Sequence, residues 1–391
     1  MKNTIPMIHI ISFTPDQKNY RKLFIEFPFR LYRGVPQWVP PLRMDARAIF
    51  NTRRHSFYRQ GAAAFFLALN EHGQACGRLA VLNNQAYNSY NNEHTAFFSL
   101  FECENDLQIS NALFAAGLEW ARLHNLTRME GPKGFTLLDG MGLLVKGFEH
   151  RPAYGMPYHL PYYATLVEAA GFTPYADTVS GYLHRDAFVM PEKVRKVAER
   201  VQERKGIRVV QFRRRRDFAR IIPAFQQLYN NSLEGTTGTM PLSAADVKTM
   251  TDQILWLADL RLIKILMKDD TLIGFLLAYP DPSAALQRCR GRLFPFGWLD
   301  LLIEMKRTRW VNINGAAIIE QYRGMGGTAI LFNEMYRSLS TGTFEHADLV
   351  QIGTDNEKMQ LEMRELGIQF YKTHRLYRKE IDIKRIIHSM K

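Results

Sequence analysis

The chain has 391 residues, with 51 Lys and Arg against 38 Asp and Glu, a net charge of +13. At 46% hydrophobic and 23% charged residues it has the composition of an ordinary globular protein, which excludes a disordered or fibrous chain. The length exceeds what one hydrophobic core usually serves, so two domains are expected, and the basic surplus favours acidic partners: coenzyme phosphates, nucleic acid or a membrane face.

In chain order, residues 1–12 carry an apolar patch interrupted by Pro6, without the layout of a signal peptide. No run approaches the ~20 apolar residues of a membrane helix. Cys76, Cys103 and Cys289 are too few and too scattered for a metal motif, and a reducing, cytoplasmic setting without disulfides is expected. Arg53-Arg54-His55 with Arg59, and later Arg213 to Arg216, read as solvated loops. A helix-like run follows Pro41-Leu42, with Asp45 early in it. A hairpin turns at Glu71-His72-Gly73, and its second arm begins at Gly77. A strand over Ala96–Phe101 leads through Glu102-Cys103-Glu104-Asn105-Asp106 into a helix over Asn111–Leu123. The insertion Gly131–Pro157 contains Gly134 to Gly142. That loop lacks the Lys-Ser/Thr of a nucleotide loop and reads as structural or as a substrate lid. Glu168 to Gly171 ends a helix before a strand.

Three anchors then recur about 200 residues on. Pro241-Leu242 repeats Pro41-Leu42, with Asp246 in the place of Asp45. Gly274 repeats Gly77 after a turn at Asp269-Asp270-Thr271. Glu365-Leu-Gly367 repeats Glu168 to Gly171. Two copies of one α/β unit are therefore expected, over 1–185 and 206–391, joined by a charged helical linker over 186–205. The second copy adds an insertion from Asp281 to Arg309.

The copies differ at one turn. In the second copy a strand over Val311–Ile319 leads through Gln321-Tyr322-Arg323-Gly324-Met325-Gly326-Gly327-Thr328 into a helix over Ala329–Leu339. A glycine-rich strand-to-helix turn aims several backbone N–H groups one way, with the positive end of the helix behind them, which is the physics of a phosphate cradle. In the first copy Glu102, Glu104 and Asp106 stand at that turn and would repel a pyrophosphate. One cofactor site per chain is expected. A strand over Ala347–Ile352, a helix over Asn356–Leu366 and a strand over Phe370–Tyr377 follow.

This order and the motif Arg323-x-x-Gly326-x-Thr328, with Gln321-x-x-Gly324-x-Gly326 as a second register, resemble the GCN5-related N-acetyltransferase (GNAT) superfamily. Thr328 departs from the Gly or Ala usual there. The tandem arrangement, with Phe27 to Gly34 near its start and Arg292 to Gly297 in the second copy, is similar to a bacterial group of tandem GNAT-like proteins. The resemblance implies an α/β fold of two tandem GNAT-like units, each a mixed, splayed, mostly antiparallel sheet flanked by helices. It implies an acyl-CoA-dependent N-acyltransferase, with acetyl-CoA or another acyl-CoA as co-substrate and a small-molecule or peptide amine as acceptor. The pyrophosphate would lie on Arg323, Gly324, Met325, Gly326, Gly327 and Thr328. The pantetheine arm would pair with the strand ending Ala317-Ile318-Ile319, and Asn356 would contact that arm or cap its own helix.

Amide formation needs a neutral amine, which for a lysine-like group costs about 4.6 kcal/mol at pH 7, and it needs a proton for the leaving thiolate. The family's usual tyrosine donor falls on Met363, which cannot donate. Tyr371 and Tyr377 are substitutes, and Glu234, Asp281 and Glu320 are candidate bases, with none singled out; the catalytic residues stay unassigned. His346 and His374 read as surface or satisfied side chains. The missing tyrosine leaves open a silent acyl-CoA sensor. The tandem layout leaves open a Fem-like aminoacyl-tRNA-dependent transferase, although its phosphate turn makes a nucleic-acid partner unexpected. Nothing in the sequence sets an oligomeric state.

Overall fold

The computed structural model describes residues 8–136, 139–210, 212, 214–233, 240–248 and 259–382. In chain order the first elements are β1 (His9–Phe13), α1 (Lys18–Leu31), α2 (Arg43–Ala48), β2 (Gly61–Leu69), β3 (Ala75–Asn84), α3 (Gln85–Asn91), β4 (Thr95–Cys103), α4 (Leu107–Leu123), β5 (Arg128–Gly131), β6 (Leu143–Lys146), α5 (Tyr163–Ala169) and β7 (Thr173–His184). There follow α6 (Glu192–Lys205), β8 (Ile207–Val210), α7 (Arg215–Arg220), α8 (Ile222–Leu233), β9 (Ile263–Lys268), β10 (Thr271–Pro280), α9 (Ser283–Cys289), α10 (Gly297–Arg307), β11 (Trp310–Ile318), α11 (Gly327–Ser340), β12 (His346–Gly353), α12 (Glu357–Glu365) and β13 (Gln369–Glu380). The succession β1-α1-β2-β3-β4-α4-β5-α5-β7 recurs as β8-α8-β9-β10-β11-α11-β12-α12-β13.

The chain gathers into two compact units that follow no single cut. Unit 1 comprises residues up to Thr178, Leu286–Pro295 and the chain from Lys372; unit 2 comprises Val179–Ala285 and Phe296–Tyr371. The reason is an exchange of last strands. In unit 1 the strand order is β1-β2-β3-β4-β5-β13, where Tyr377 to Glu380 of β13 run antiparallel to β5. In unit 2 the order is β8-β9-β10-β11-β12-β7. The expected linker helix also belongs to unit 2: α6 buries Ala198 and Val201 in that unit's core.

Each sheet carries a parallel pair, β4–β5 in unit 1 and β11–β12 in unit 2, beside antiparallel neighbours. The central arm β3 is buried from Ala75 to Leu82, and β10 from Leu272 to Pro280. Such continuous apolar runs belong to strands covered on both faces. α4 covers one face of unit 1 with Ile109, Leu113 and Phe114, and α11 covers one face of unit 2 with Ile330, Leu331 and Met335. Both parallel pairs are short, because a bulge interrupts the longer strand. β4 has one extra residue opposite Leu79, with Leu100 at φ +50°. β11 has one extra residue opposite Leu277, with Gly315 at φ +112°. A bulge bends its strand, and here it turns β11 off its parallel partner after Ile313.

Candidate acyl-coenzyme A site in unit 2

β11 has two edges with different fates. Toward β10 it pairs up to Ile318, and the Ile319 N–H donates to the Ile273 carbonyl at 3.0 Å. Toward β12 its register ends at Ile313↔Leu349. Antiparallel pairing alternates, so Ala316 and Ile318 turn their backbone groups toward the unpaired edge. The Ile318 carbonyl there accepts from Arg323 Nε at 3.1 Å. The N–H groups of Ala316 and Ile318 have no acceptor among the described residues. Ile319, counted with the expected contacts, is spent on Ile273 and on the Tyr322 N–H. The residues flanking this edge are Gly315, Ala316 and Ala317, whose small side chains leave it uncovered.

The glycine-rich turn follows directly. A 3₁₀ turn over Glu320–Tyr322 leads to Arg323 in extended conformation, then Gly324 at φ +73° and Gly326 at φ +92°. Gly326 is the N-cap of α11, and no side chain caps that helix. Only glycine fits here: a Cβ on Gly326 would lie 2.8 Å from the Val201 side chain, and one on Gly327 2.9 Å from that of Ile318. Gly324 faces open space. The first bonded helix donor is Ile330, whose N–H reaches the Gly326 carbonyl at 3.2 Å. The N–H groups from Gly324 to Ala329 have no acceptor among the described residues. These donors sit at the positive end of a 14-residue helix, where an anion is favoured by roughly 0.3–1 kcal/mol or more. Burial pushes the Glu362 carboxyl up, partly offset by the nearby Lys358 and the Thr328 hydroxyl.

A buried polar cluster lies at the closed end of the parallel pair. Asp281 Oδ1 accepts from Ser283 N (3.1 Å), Ser283 Oγ (2.5 Å) and Asn312 Nδ2 (3.3 Å). Asn312 is in register with Asp348, and Asp348 Oδ2 accepts from the Tyr371 hydroxyl at 2.8 Å. Asp281, Asn312 and Asp348 are at most 2% exposed. Burial, then the Asp348 carboxylate, holds the Tyr371 phenol well above its usual range. Beside them Asn314 Nδ2 donates to the Tyr279 hydroxyl at 3.1 Å. Two carboxylates kept from water on either side of β11, one just past β10 and one on β12, can accept a proton or orient a cation.

The other expected residues are dispersed. Asn356 is the N-cap of α12, its Oδ1 accepting from Met359 N at 3.1 Å. Met363 is a core residue of unit 2. Tyr371 joins the polar cluster, whereas Tyr377 lies in unit 1 and donates to Glu168 at 3.0 Å. Glu320 is exposed beside the turn. Glu234 falls outside the described residues. His346 stacks on Trp310 and shares a hydrogen bond with the Tyr182 hydroxyl at 2.8 Å, and its imidazole is lowered by burial. His374 is buried in unit 1 against the Pro157 carbonyl. Sequence reading passed over Asn312, Asn314 and Asp348. Their signal is a polar side chain at alternate places in strands that are otherwise apolar, VNINGAAI and HADLV.

Unit 1 closes the same places with its own side chains. Cys103, at the end of β4, gives its carbonyl to the Tyr162 hydroxyl (2.7 Å) and its N–H to that of Tyr163 (3.2 Å). Phe101 packs on Phe114 and Tyr163 where unit 2 has small residues. Past the paired part of β4, the Lys133 N–H takes the Phe98 carbonyl at 3.0 Å. Asp106 caps α4, accepting from Gln108 N (2.7 Å) and Ile109 N (3.4 Å). Glu102, expected in the turn, instead ends the strand in a buried cluster, accepting from Tyr32 and Tyr163 at 2.6 Å each, with Arg78 at 3.8 Å.

The duplicated, splayed sheet has the fold of tandem GNAT-like proteins. The chain aligns over 96% of its length, and 99% of the other's, with the structure of a tandem GNAT protein from the clavulanic acid biosynthesis pathway, at a TM-score of 0.57 and 12% identity. The sequence matches no protein-family model. It is 26% identical over 93% of its length to protein YghO of Escherichia coli (strain K12), covering 94% of that protein. It is 24% identical over 92% of its length to the bacterial ceramide synthase of Caulobacter vibrioides, again covering 94% of that protein.

Proposed function

We propose that this protein is an acyl-CoA-dependent N-acyltransferase with one site per chain, in unit 2, and that its acceptor is the amine of a long-chain amino alcohol. The carrying observation is two neighbouring sets of unused backbone donors, Ala316 and Ile318 on β11 and Gly324–Ala329 at the head of α11. The pyrophosphate would take the turn amides, and the pantetheine amides would add to the open edge of β11, as an extended segment adds to a sheet. In the reaction the amine nitrogen bonds to the thioester carbonyl carbon and the carbon–sulfur bond breaks. The amine gives up a proton and the departing thiolate gains one. Asp281 and Asp348 are the buried carboxylates placed to receive the first. An N–H of the bulged strand would hold the oxyanion. The acceptor class rests on the likeness to a ceramide synthase, whose product is the amide of such an amine.

The buried Met363 favours a second reading, a binding protein without turnover, because no side chain there can protonate a thiolate. A thiol-release assay with short- and long-chain acyl-CoA separates the two, using a long-chain amino alcohol, short amines and lysine peptides as acceptors. The enzyme reading expects free coenzyme A and a stoichiometric amide with the long-chain amine. Tight acyl-CoA binding with release no faster than buffer for every amine supports the sensor.

A further inference from the structure

One helix of unit 2 reverses the usual pattern of a surface helix. α10 buries a single side chain, Leu301. Its acids Asp300 and Glu304 share the inner, half-buried side with Leu301. Its apolar residues Trp298, Leu299, Leu302 and Ile303 are all exposed, Leu302 to 51%. They are spaced i, i+1, i+4 and i+5 and so form one stripe, which Lys306 and Arg307 continue by a turn. Phe296, just ahead of the helix, is 74% exposed. The other exposed large apolar side chains described in unit 2, Val189, Val197 and Leu361, lie apart from this run in the chain. A contiguous patch of this kind marks a contact surface.

We propose that this face of α10 seats on an anionic phospholipid surface. The stripe would enter the interfacial layer while Lys306 and Arg307 meet headgroup phosphates. Charge complementarity selects this occupant: the helix turns its two acids away from the face and puts two cations on it, in a chain of net charge +13. A tryptophan at the opposite end of the stripe suits the same boundary. The helix has 11 residues, too few to cross a bilayer, and no described helix is long and apolar enough to do so. The contact is therefore peripheral. It rests on α10 alone and holds whichever acceptor the site takes.

The test is co-sedimentation of the full chain with phosphatidylcholine vesicles, with and without phosphatidylglycerol, at low and high salt. Wild type is expected to bind the anionic vesicles more tightly and to be weakened by salt. Leu302→Asp with Ile303→Asp should lower the partition coefficient on the order of a hundredfold. Lys306→Glu with Arg307→Glu should lower it on the order of tenfold, on anionic vesicles only. All four side chains are exposed, so melting curves should match wild type; if the aspartate pair fails to fold, the charge-reversed pair decides. Absent wild-type binding, or unchanged binding of the aspartate pair, overturns the proposal. So does a wild-type dimer in light scattering that the aspartate pair dissolves while vesicle binding persists, which would make the face a self-association surface. Release of coenzyme A with the long-chain amino alcohol in detergent micelles should be unchanged in both variants, and its absence in wild type would count against acyltransfer while leaving the vesicle result standing.

Discussion

The two copies share a bulged strand, a parallel neighbour and a helix after the turn, yet they spend the same backbone groups differently. At the end of β4, tyrosine hydroxyls satisfy Cys103 and a carboxylate caps α4. At the end of β11, Ala316 and Ile318 keep unused N–H groups and α11 begins on a bare glycine. The difference teaches that a GNAT-like splay is not a site by itself. It becomes one where small residues replace large ones and nothing in the chain answers the donors. In unit 1 the same geometry is converted into core, with Phe101 and Glu102 standing where unit 2 has Ala316 and Ala317.

Acid should break the comparison most strongly, because unit 1 holds two buried neutral histidines. Burial lowers His159 to about 3, helped by His374, and lowers His374 to about 4, partly offset by its bond to the Pro157 carbonyl. Both folded values lie below the unfolded value of 6.5. Their stability is therefore complete above that value and lost as pH falls from 6.5 toward 4. At ~1.4 kcal/mol per pH unit and histidine, several kcal/mol should disappear across the window. Denaturant midpoints recorded against pH would expose a flat profile, which would refute the assignment.

Filling the open edge should come next. Ala316→Phe places in unit 2 the bulk that Phe101 gives unit 1. Overpacking of this kind costs about 1–3 kcal/mol, so acyl-CoA affinity should fall roughly tenfold to a hundredfold. Equal affinity in a thermal-shift titration would mean that the edge of β11 is not where the ligand lies. The smallest effect belongs to Asp106→Ala, which removes the α4 cap. It should cost about 1 kcal/mol of stability and leave acyl-CoA binding unchanged.

Much of this is legible in the sequence. The glycines of 324–327 announced their turn because positive φ and close helix–strand approach both demand glycine. Of the first copy's carboxylates, Asp106 stands at the head of α4 as its place in the chain suggests, whereas the burial of Glu102 against Tyr32 and Tyr163 depends on segments far apart in sequence. The exchange of β7 and β13 was not legible, since alternation fixes that a segment is a strand but not which neighbour it joins. Asn312 and Asp348 meet only through the register of two strands 36 residues apart in their numbering. The stripe on α10 reads as an ordinary core-facing pattern until its inward side is known.

In the proposed function, backbone donors near Gly324 hold a diphosphate. Gly324→Glu tests this most directly, because a side chain there meets nothing within 4 Å and its φ of +73° costs only about 1–2 kcal/mol of strain. Calorimetric titration of acetyl-CoA into the full chain should give one site per chain for wild type. For the variant, affinity should fall on the order of a hundredfold or more, since like charges brought together cost several kcal/mol. Unchanged affinity in the variant, or two sites in the wild type, would contradict the account.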